Sequence, residues 1–280
     1  MIKQHQFKKN IKKVIVNILA IGVMIAFLFP YFFMVTSAFK SRLDTFAYPP
    51  IFLFFKPTLK NFVEIFNNLK IMSYMKNSLL VSITSTFLSL VIAIPATYSL
   101  ARYQFRFREK IAFGFLLFQM IPGISVVFSL FFIAKRLNLN DTIIALALSY
   151  LLWNVPYAIW MLRGFVESIP VELEEAATVD GCSRFRAFVF ITLPLMAGGL
   201  VATAILIFIS VWNEFAVAFF LTSVDARTMP TTIGFFMTHS GIKWGQMFAA
   251  ATIATLPVVI FSLLVRKYFV SALTLGAIKG

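Results

Sequence analysis

Two short groups of residues combine aromatic rings with polar side chains inside long apolar stretches of this sequence. They are Trp153, Asn154 and Tyr157 in one stretch and Trp212, Asn213 and Glu214 in another. Aromatic rings stack on apolar C–H faces, while amides and carboxylates bond hydroxyl groups, so these residues would suit the wall of a sugar pathway. A structural interpretation is also open: Glu214 would bond neighbouring helices or backbone, and the aromatic rings would form an interfacial belt.

Residues 168–195 predict two short helices joined by a turn on the cytoplasmic face. Pro170 suits a first helical turn, and the glutamates after it favour the positive end of the helix dipole. Gly181 is placed to end that helix in a left-handed conformation, and Ser183 can cap a second helix running to Pro194.

One side of the first of these helices is flat because it carries Ala176 and Ala177. The surface of another protein could therefore approach its backbone closely. An ordinary amphipathic connector between two membrane helices is the alternative interpretation.

The composition places all of these residues in a membrane protein. The 280 residues are 60% hydrophobic and 13% charged, with a mean hydropathy of +0.88, whereas soluble domains are about a quarter charged. A soluble core cannot hide so much apolar surface, which excludes a soluble enzyme. The net charge of +14 fits basic cytoplasmic loops better than a nucleic-acid surface. The single cysteine, Cys182, excludes a disulfide framework.

Six apolar stretches are long enough to cross a bilayer, which takes roughly 20 helical residues. They cover residues 14–39, 77–101, 111–134, 142–162, 194–224 and 244–265. Residues 1–280 are thus predicted to form one all-α integral membrane domain. Lys and Arg number 15 in the segments on the N-terminal side of the membrane and 9 on the other side, which predicts that both termini are cytoplasmic. Four prolines are expected to break helices in mid-membrane: Pro95, Pro122, Pro156 and Pro257.

Signatures of catalysis are absent from the sequence. No glycine is followed by lysine, so the phosphate-binding loop of an ATPase is missing, and neither H-E-x-x-H nor G-x-S-x-G occurs. We therefore expect no catalytic residue, no metal site and no cofactor bound by this chain. A chain of this kind moves or conducts a solute, or scaffolds a complex.

The stretch between the predicted fourth and fifth spans resembles a known motif. Its residues Glu175-Ala176-Ala177, then Gly181, then Ile191-x-Leu193-Pro194 match E-A-A-x3-G-x9-I-x-L-P, the EAA motif of ABC importer permeases. The resemblance covers most of the chain and is most similar to the smaller permease subunit of maltose-type type I importers. The other segments that carry it are residues 137–142, 160–165, 212–215 and 276–280.

This resemblance implies the type I ABC importer permease fold, with six transmembrane helices and both termini inside. It also implies that residues 167–195 form coupling helices that dock into a cleft of a cytoplasmic ATPase subunit. The docking residues carried over to this sequence are Glu175, Ala176, Ala177, Asp180 and Gly181, with Leu193 and Pro194 leading back into the fifth membrane helix.

Two further contacts follow from the same resemblance. The C-terminal tail of the family reaches between the ATPase subunits, which implies a second contact through Leu275, Gly276, Ala277, Ile278, Lys279 and Gly280. The loop at residues 223–243 would reach the sugar cleft of an external binding protein through Asp225, Arg227, His239, Ser240 and Gly241. A frayed terminus and a plain solvated loop are the alternatives.

The implied function is ATP-driven import of a carbohydrate by alternating access across a bacterial cytoplasmic (inner) membrane. The implied partners are a homologous second permease, two ATPase subunits that use ATP and Mg, an extracytoplasmic solute-binding protein, the carbohydrate and membrane lipid, with no nucleic acid. Three other functions stay open. They are a same-fold importer for a non-sugar solute, an ion-coupled carrier or channel, and a membrane scaffold or enzyme.

Overall fold

The computed structural model describes residues 2–239 and 241–277, and this part of the chain is mostly helical. The helices, in chain order, are α1 (Ile2–Ala38), α2 (Arg42–Thr45), α3 (Lys60–Asn68), α4 (Ile71–Arg102), α5 (Arg108–Gln119), α6 (Gly123–Arg136), α7 (Ile143–Glu167), α8 (Glu172–Val179), α9 (Arg184–Ala187), α10 (Leu193–Leu195), α11 (Ala197–Trp212), α12 (Ala216–Leu221) and α13 (Trp244–Ala277). A π-helical turn, Phe188–Thr192, joins α9 to α10, and a 3-10 helix covers Met229–Phe236. Strands β1 (Met237–Thr238) and β2 (Gly241–Ile242) pair in antiparallel fashion.

Four helical segments are long and apolar enough to cross a membrane. They are Lys12–Ala38, Ile71–Arg102, Ile143–Glu167 and Trp244–Leu263. Two bent pairs also qualify: Arg108–Gln119 with Gly123–Arg136, bent by 92°, and Arg184–Leu195 with Ala197–Trp212, bent by 69°. The prediction of a helical membrane fold is therefore confirmed, with four to six candidate spans in the described chain, and β1 and β2 add a short hairpin to the all-α prediction.

The predicted span at residues 194–224 is not one helix. The chain bends by 69° at Met196, and α11 ends at Trp212 before α12 begins. The second break has a local cause, because the carboxylate of Glu214 accepts the N–H groups of Val217 and Ala218. These donors at the start of α12 are satisfied by a side chain instead of by a preceding helical turn.

The prediction that prolines break the helices is wrong at three of its four positions. Pro95, Pro156 and Pro257 lie inside the continuous helices α4, α7 and α13. Pro122 does stand at a break, because it is the N-cap residue of α6 and follows the 92° bend after α5. Exposed backbone groups are costly in lipid, so a helix continues past a proline where its remaining hydrogen bonds persist.

Residues 1–71 and 233–255 form the first of two compact units. In this unit the end of α1 packs on the start of α13, with the ring centroids of Phe33 and Phe248 5.9 Å apart. Asn61 of α3 donates from its side-chain amide to the carbonyls of Ala38, at 2.8 Å, and Lys40, at 2.9 Å, which satisfies the open end of α1. The segment between the first two predicted spans is therefore ordered by α2 and α3.

Residues 72–232 and 256–280 form the second unit, whose core is centred on α7. The helices α5, α11 and α12 pack against α7. One of these approaches is very close, because a Cβ on Gly199 of α11 would lie 2.4 Å from the ring of Phe165 on α7. The buried side chains of α7 at the centre of this core include Leu146, Tyr150, Ala158, Ile159, Leu162 and Val166.

Candidate functional site

The predicted coupling segment forms α8, a tight turn and a second helix, as the sequence indicated. Gly181 has φ +87°, and the turn closes with hydrogen bonds from Cys182 N to the Ala177 carbonyl at 2.9 Å and from Gly181 N to the Thr178 carbonyl at 3.1 Å. This pair of bonds is the Schellman arrangement that a left-handed glycine permits. Ser183 then caps α9, since its hydroxyl accepts from Arg186 N at 3.4 Å. The predicted helix stop and helix cap are both confirmed.

Two details of this segment differ from the prediction. Pro170 lies before α8 and not in its first turn, because Val171 is the N-cap residue and the helix begins at Glu172. The second helix does not end at Pro194, since the π-helical turn and α10 carry it to Leu195. Leu193 and Pro194 thus stand directly before the bend that leads into α11.

The surface of α8 and its turn is open. Glu175, Ala176, Asp180 and Gly181 are exposed, and Ala177 is half-buried. Beside them are two large apolar side chains, Val179 and Phe185, whose exposed fractions are 88% and 74%. Apolar groups left uncovered beside a short helix form a surface suited to contact with another protein.

A buried ion pair, which the sequence analysis did not identify, holds α8 to the rest of its unit. Glu174 accepts hydrogen bonds from Tyr98 Oη and Arg102 Nε, both at 2.7 Å, and from Thr192 Oγ1 at 2.8 Å. Arg102 also donates to the carbonyl of Ile169 at 2.9 Å. Burial favours a higher pKa for Glu174, but the hydrogen bonds outweigh it and hold the pKa of this carboxyl below its usual range. These contacts join α8 to α4 and to the π-helical turn.

The only sequence signal for this ion pair was a basic residue, Arg102, at the end of an apolar run. Nothing local distinguishes Glu174 from its neighbour Glu175, since both are glutamates in the first turn of α8. The packing distinguishes them: the side chain of Glu174 faces inwards and Glu175 is exposed.

A cavity of about 190 Å³ lies between α7 and α11 in the second unit. It brings together three of the six residues predicted to line a substrate path, Trp153, Asn154 and Glu214. Its remaining lining residues are Gly123, Tyr150, Ser210, Val211 and Val217. The cavity therefore presents an indole, an amide, a hydroxyl and a carboxylate, a set of groups that can bond or stack on a polyhydroxyl compound.

The polar groups of this cavity also have structural partners. The carboxylate of Glu214 accepts from Tyr150 Oη at 2.7 Å as well as from the two N–H groups that begin α12. The amide of Asn154 donates to Ser85 Oγ at 3.2 Å. The structural role that the sequence left open for Glu214 is therefore present, and its contact with substrate stays a prediction.

The other three predicted path residues do not line this cavity. Trp212 is buried and stacks on Phe208 with ring centroids 5.9 Å apart. The amide of Asn213 donates to the carbonyl of Ile209 at 2.9 Å, one turn back along α11. Tyr157 is half-buried one turn beyond Trp153 on α7.

Asp141 organises the start of the loop after α12. Its carboxylate accepts from the backbone N–H groups of residues 223–226 at 2.8–3.0 Å and from the hydroxyl of Ser223 at 2.8 Å. Burial favours a higher pKa for Asp141, but these four backbone donors outweigh it and hold the pKa far below its usual range. The sequence analysis assigned Asp141 no role, and its only local signal was an Asn-rich turn, seen here as positive φ angles at Asn138 and Asp141.

A second group of side chains holds the same loop. The amide of Asn77 donates to the carbonyls of Asp225, at 2.7 Å, and Arg227, at 2.9 Å. Ser78 Oγ accepts from the backbone N–H of Met229 at 2.8 Å. The backbones of Asp225 and Arg227, two of the predicted binding-protein contacts, are thus fixed, while the side chain of Asp225 is exposed.

The remaining predicted contacts lie partly beyond the described residues. His239 is exposed in the turn between β1 and β2, and Gly241 follows it with φ +109°. Leu275, Gly276 and Ala277 are in the last turn of α13. Ser240, Ile278, Lys279 and Gly280 lie outside the described residues.

Comparison with known proteins identifies close relatives of this chain. Residues 89–275 match the family described as binding-protein-dependent transport system inner membrane component. The trehalose/maltose transport system permease protein MalG of Thermococcus litoralis is 38% identical, over 96% of this chain and 98% of its own length. The diacetylchitobiose uptake system permease protein DasC of Streptomyces coelicolor is 34% identical, over 94% and 96%.

The fold has a counterpart among solved structures. A chain of a bacterial ABC transporter involved in the import of the acidic polysaccharide alginate superposes with a TM-score of 0.73. The match covers 91% of the present chain and 95% of that chain, at 20% sequence identity. At this level of identity the similarity establishes the fold.

Proposed function

This chain belongs to the binding-protein-dependent transport system inner membrane component family, and from that membership we propose that it is the permease subunit of an ATP-driven carbohydrate importer. The relatives named for trehalose/maltose and diacetylchitobiose, similar over nearly their full length, support a sugar as the solute. The residues lining the cavity in the second unit support the same class of solute.

The coupling segment carries this proposal. The exposed side of α8, with Glu175, Ala176, Ala177, Asp180 and Gly181, docks into an ATPase subunit, and Val179 is covered in that contact. ATP and Mg are used by that separate ATPase, and this chain binds neither. The tail at residues 275–280 makes a second contact with the pair of ATPase subunits.

The contacts of Glu174 explain how movement of α8 would reach the membrane part of the chain. When the ATPase subunits close around ATP, α8 is displaced. Its ion pair with Arg102 transmits the displacement to α4, and its hydrogen bond to Thr192 transmits it to the helices that follow. The inward-open and outward-open states of the permease differ in their affinity for the open and the closed ATPase pair. Closure of the ATPase pair therefore shifts the equilibrium from one state to the other.

Six spans, with each bent pair counted as one, and cytoplasmic termini complete the proposed topology of a single permease domain, residues 1–280. A homologous second permease completes the path, and Trp153, Asn154 and Glu214 form part of its wall. On the extracytoplasmic side of the bacterial inner membrane, the loop held by Asp141 meets the solute-binding protein through Asp225, Arg227, His239, Ser240 and Gly241.

Co-purification tests the assembly directly. The tagged chain is extracted gently from its native membrane, and its companions are identified for the native sequence and for Gly181→Trp. We expect an ATPase and a second permease with the native chain and loss of the ATPase from the variant, because a tryptophan cannot adopt φ +87° without strain and would obstruct docking. The matched control is Gly114→Trp, since nothing lies within 4 Å of a Cβ there.

Transport by the reconstituted assembly tests the solute. Uptake of a labelled disaccharide into vesicles should require the binding protein and ATP, and unlabelled sugars should compete where amino acids and polyamines do not. Competition by an amino acid or a polyamine alone would establish a same-fold importer for another solute. A chain that purifies alone and moves solute by itself would instead establish an ion-coupled carrier and overturn the proposal.

A further inference from the structure

A cavity of about 480 Å³ lies in the first unit, beyond the end of α1 and beside the start of α13. Four basic residues are among those that line it: Lys40, Arg42, Lys60 and Lys243. Glu64 is the one acidic residue in the lining, and its carboxylate is already engaged by the amide of Gln246 and by Lys60, at 3.8 Å. The cavity therefore has a surplus of positive charge.

Lys40 is an unusual member of this lining because it is only 3% exposed. Its ammonium lies over the rings of Phe33, Phe52 and Phe55, at 5.3, 5.9 and 5.4 Å from their centroids. It makes no ion pair within the described chain. Burial lowers the pKa of Lys40, and the carboxylate of Asp44, which is hydrogen-bonded to Ser41, offsets only part of this effect. An anion in the cavity would add a counter-ion to the aromatic contacts that already surround this ammonium.

The position of the cavity indicates where such an anion comes from. Two candidate spans have one end at this cavity. The span Lys12–Ala38 ends there and the span Trp244–Leu263 begins there. The headgroups of a bilayer lie at this level, just beyond the hydrocarbon, and Trp244 in the lining is a residue type enriched there.

The apolar surroundings fit the remainder of a lipid molecule. The span within α1 is unburied in the described structure, and Phe29 and Phe32, in the last turns before the cavity, are 51% and 44% exposed. An acyl chain can therefore lie along α1 while its headgroup enters the cavity. Basic side chains beside such a surface attract anionic lipids.

We propose that this cavity, between the end of α1 and the start of α13, binds the phosphate headgroup of an anionic membrane lipid, with Lys40 as the buried cation and Arg42 and Lys243 at its rim. A carboxylate on a folded protein partner reaches a recessed ammonium less readily than a flexible headgroup does. The site requires only that the chain lies in a bilayer, so the test of this site does not depend on whether the chain transports a carbohydrate.

Native mass spectrometry of the purified assembly tests this site. Retention of phosphatidylglycerol and phosphatidylcholine is titrated for the native chain, for Lys40→Met and for Arg42→Gln with Lys243→Gln. We expect one phosphatidylglycerol held per copy of this chain and a loss of affinity of about tenfold in both variants, as for removal of a charge-assisted hydrogen bond. The rim variant keeps the test valid if Lys40→Met does not fold.

Lys56→Gln is the matched control, because Lys56 is an exposed cation of the same segment that does not line the cavity. It should retain the lipid like the native chain. Equal retention of phosphatidylglycerol by the native chain and all variants would overturn the proposal. It would also be overturned if the native chain retained phosphatidylcholine as strongly as phosphatidylglycerol. Displacement of the lipid by inorganic phosphate alone would overturn it in favour of a free-anion site. Weaker capture of the solute-binding protein with lipid retention unchanged would assign the cavity to that partner.

Discussion

Glu174 and Glu175 are adjacent glutamates with opposite surroundings. Glu174 is 9% exposed and bonded by three side chains, whereas Glu175 is open to solvent. Removal of one partner from a buried ion pair is costly because the other charge is left without compensation. The side chain of Arg102, only 9% exposed, would be that remaining charge.

We therefore expect Glu174→Gln to lower the free energy of unfolding by about 3 kcal/mol. Glu175→Gln should change it by less than about 0.5 kcal/mol, as is usual for an exposed site. Thermal unfolding of the purified assembly measures both variants. Equal effects of the two substitutions would contradict the inward orientation of Glu174.

Asp141 offers a comparable test in the loop after α12. In Asp141→Asn an NH2 group replaces one carboxylate oxygen and faces N–H donors, so two of the four backbone N–H groups of residues 223–226 lose their acceptor. Charge-assisted bonds contribute about 2 kcal/mol, which predicts about 30-fold faster amide hydrogen exchange in this segment. Asp225→Asn is the control, because its exposed carboxylate is not part of this arrangement; faster exchange there to the same extent would contradict the role of Asp141.

The depressed pKa of Asp141 sets the pH dependence of this difference. A carboxylate with a lowered folded pKa contributes its full stabilisation above the unfolded value, about 3.9, and loses it as the pH falls through the folded value. The difference in opening free energy between Asp141→Asn and the native chain should therefore be constant from about pH 8 to about pH 5. A steady decrease across that range in exchange data would show that the pKa of Asp141 is raised in the folded chain instead of lowered.

The contact between α7 and α11 tests helix packing. A methyl group on Gly199 would collide with the ring of Phe165, so Gly199→Ala should destabilise the protein by about 1–3 kcal/mol. The adjacent Gly198→Ala meets nothing within 4 Å and should stabilise the helix by up to about 1 kcal/mol. In a thermal-unfolding cycle, Phe165→Leu should restore much of the loss in Gly199→Ala, and independent effects of the two substitutions would contradict the close contact.

Only one cysteine, Cys182, is present in the whole chain, and it lies in the turn after α8. The proposed topology places this turn in the cytoplasm. A membrane-impermeant maleimide should therefore label Cys182 in inside-out vesicles from which the ATPase subunits have been stripped, and leave it unlabelled in intact cells.

The reverse pattern is expected for His239→Cys in a Cys182→Ser background, because His239 is exposed in the opposite, extracytoplasmic loop of that topology. Labelling of native Cys182 in intact cells would invert the proposed orientation and contradict docking of α8 to a cytoplasmic ATPase.

Features that depend on neighbouring residues could be inferred from the amino-acid order alone. The apolar runs predicted a helical membrane protein, the EAA motif predicted the family, and Gly181 and Ser183 predicted the stop of α8 and the cap of α9. These inferences succeed because hydropathy, capping and left-handed φ angles act over a few residues. The prolines were misjudged because the cost of a broken helix in lipid outweighs the local preference of proline.

Features that join distant residues required the packed molecule. Glu174 meets a partner 72 positions earlier, and Asp141 accepts N–H groups 82 to 85 positions later. Such partners are chosen by the packing of whole helices, which places one glutamate inwards and its neighbour outwards although their types are identical. The hydrogen bond from Tyr150 to Glu214, 64 positions later, and the cationic cavity that Lys40 helps to line have the same origin, since each depends on distant segments meeting around one charged group.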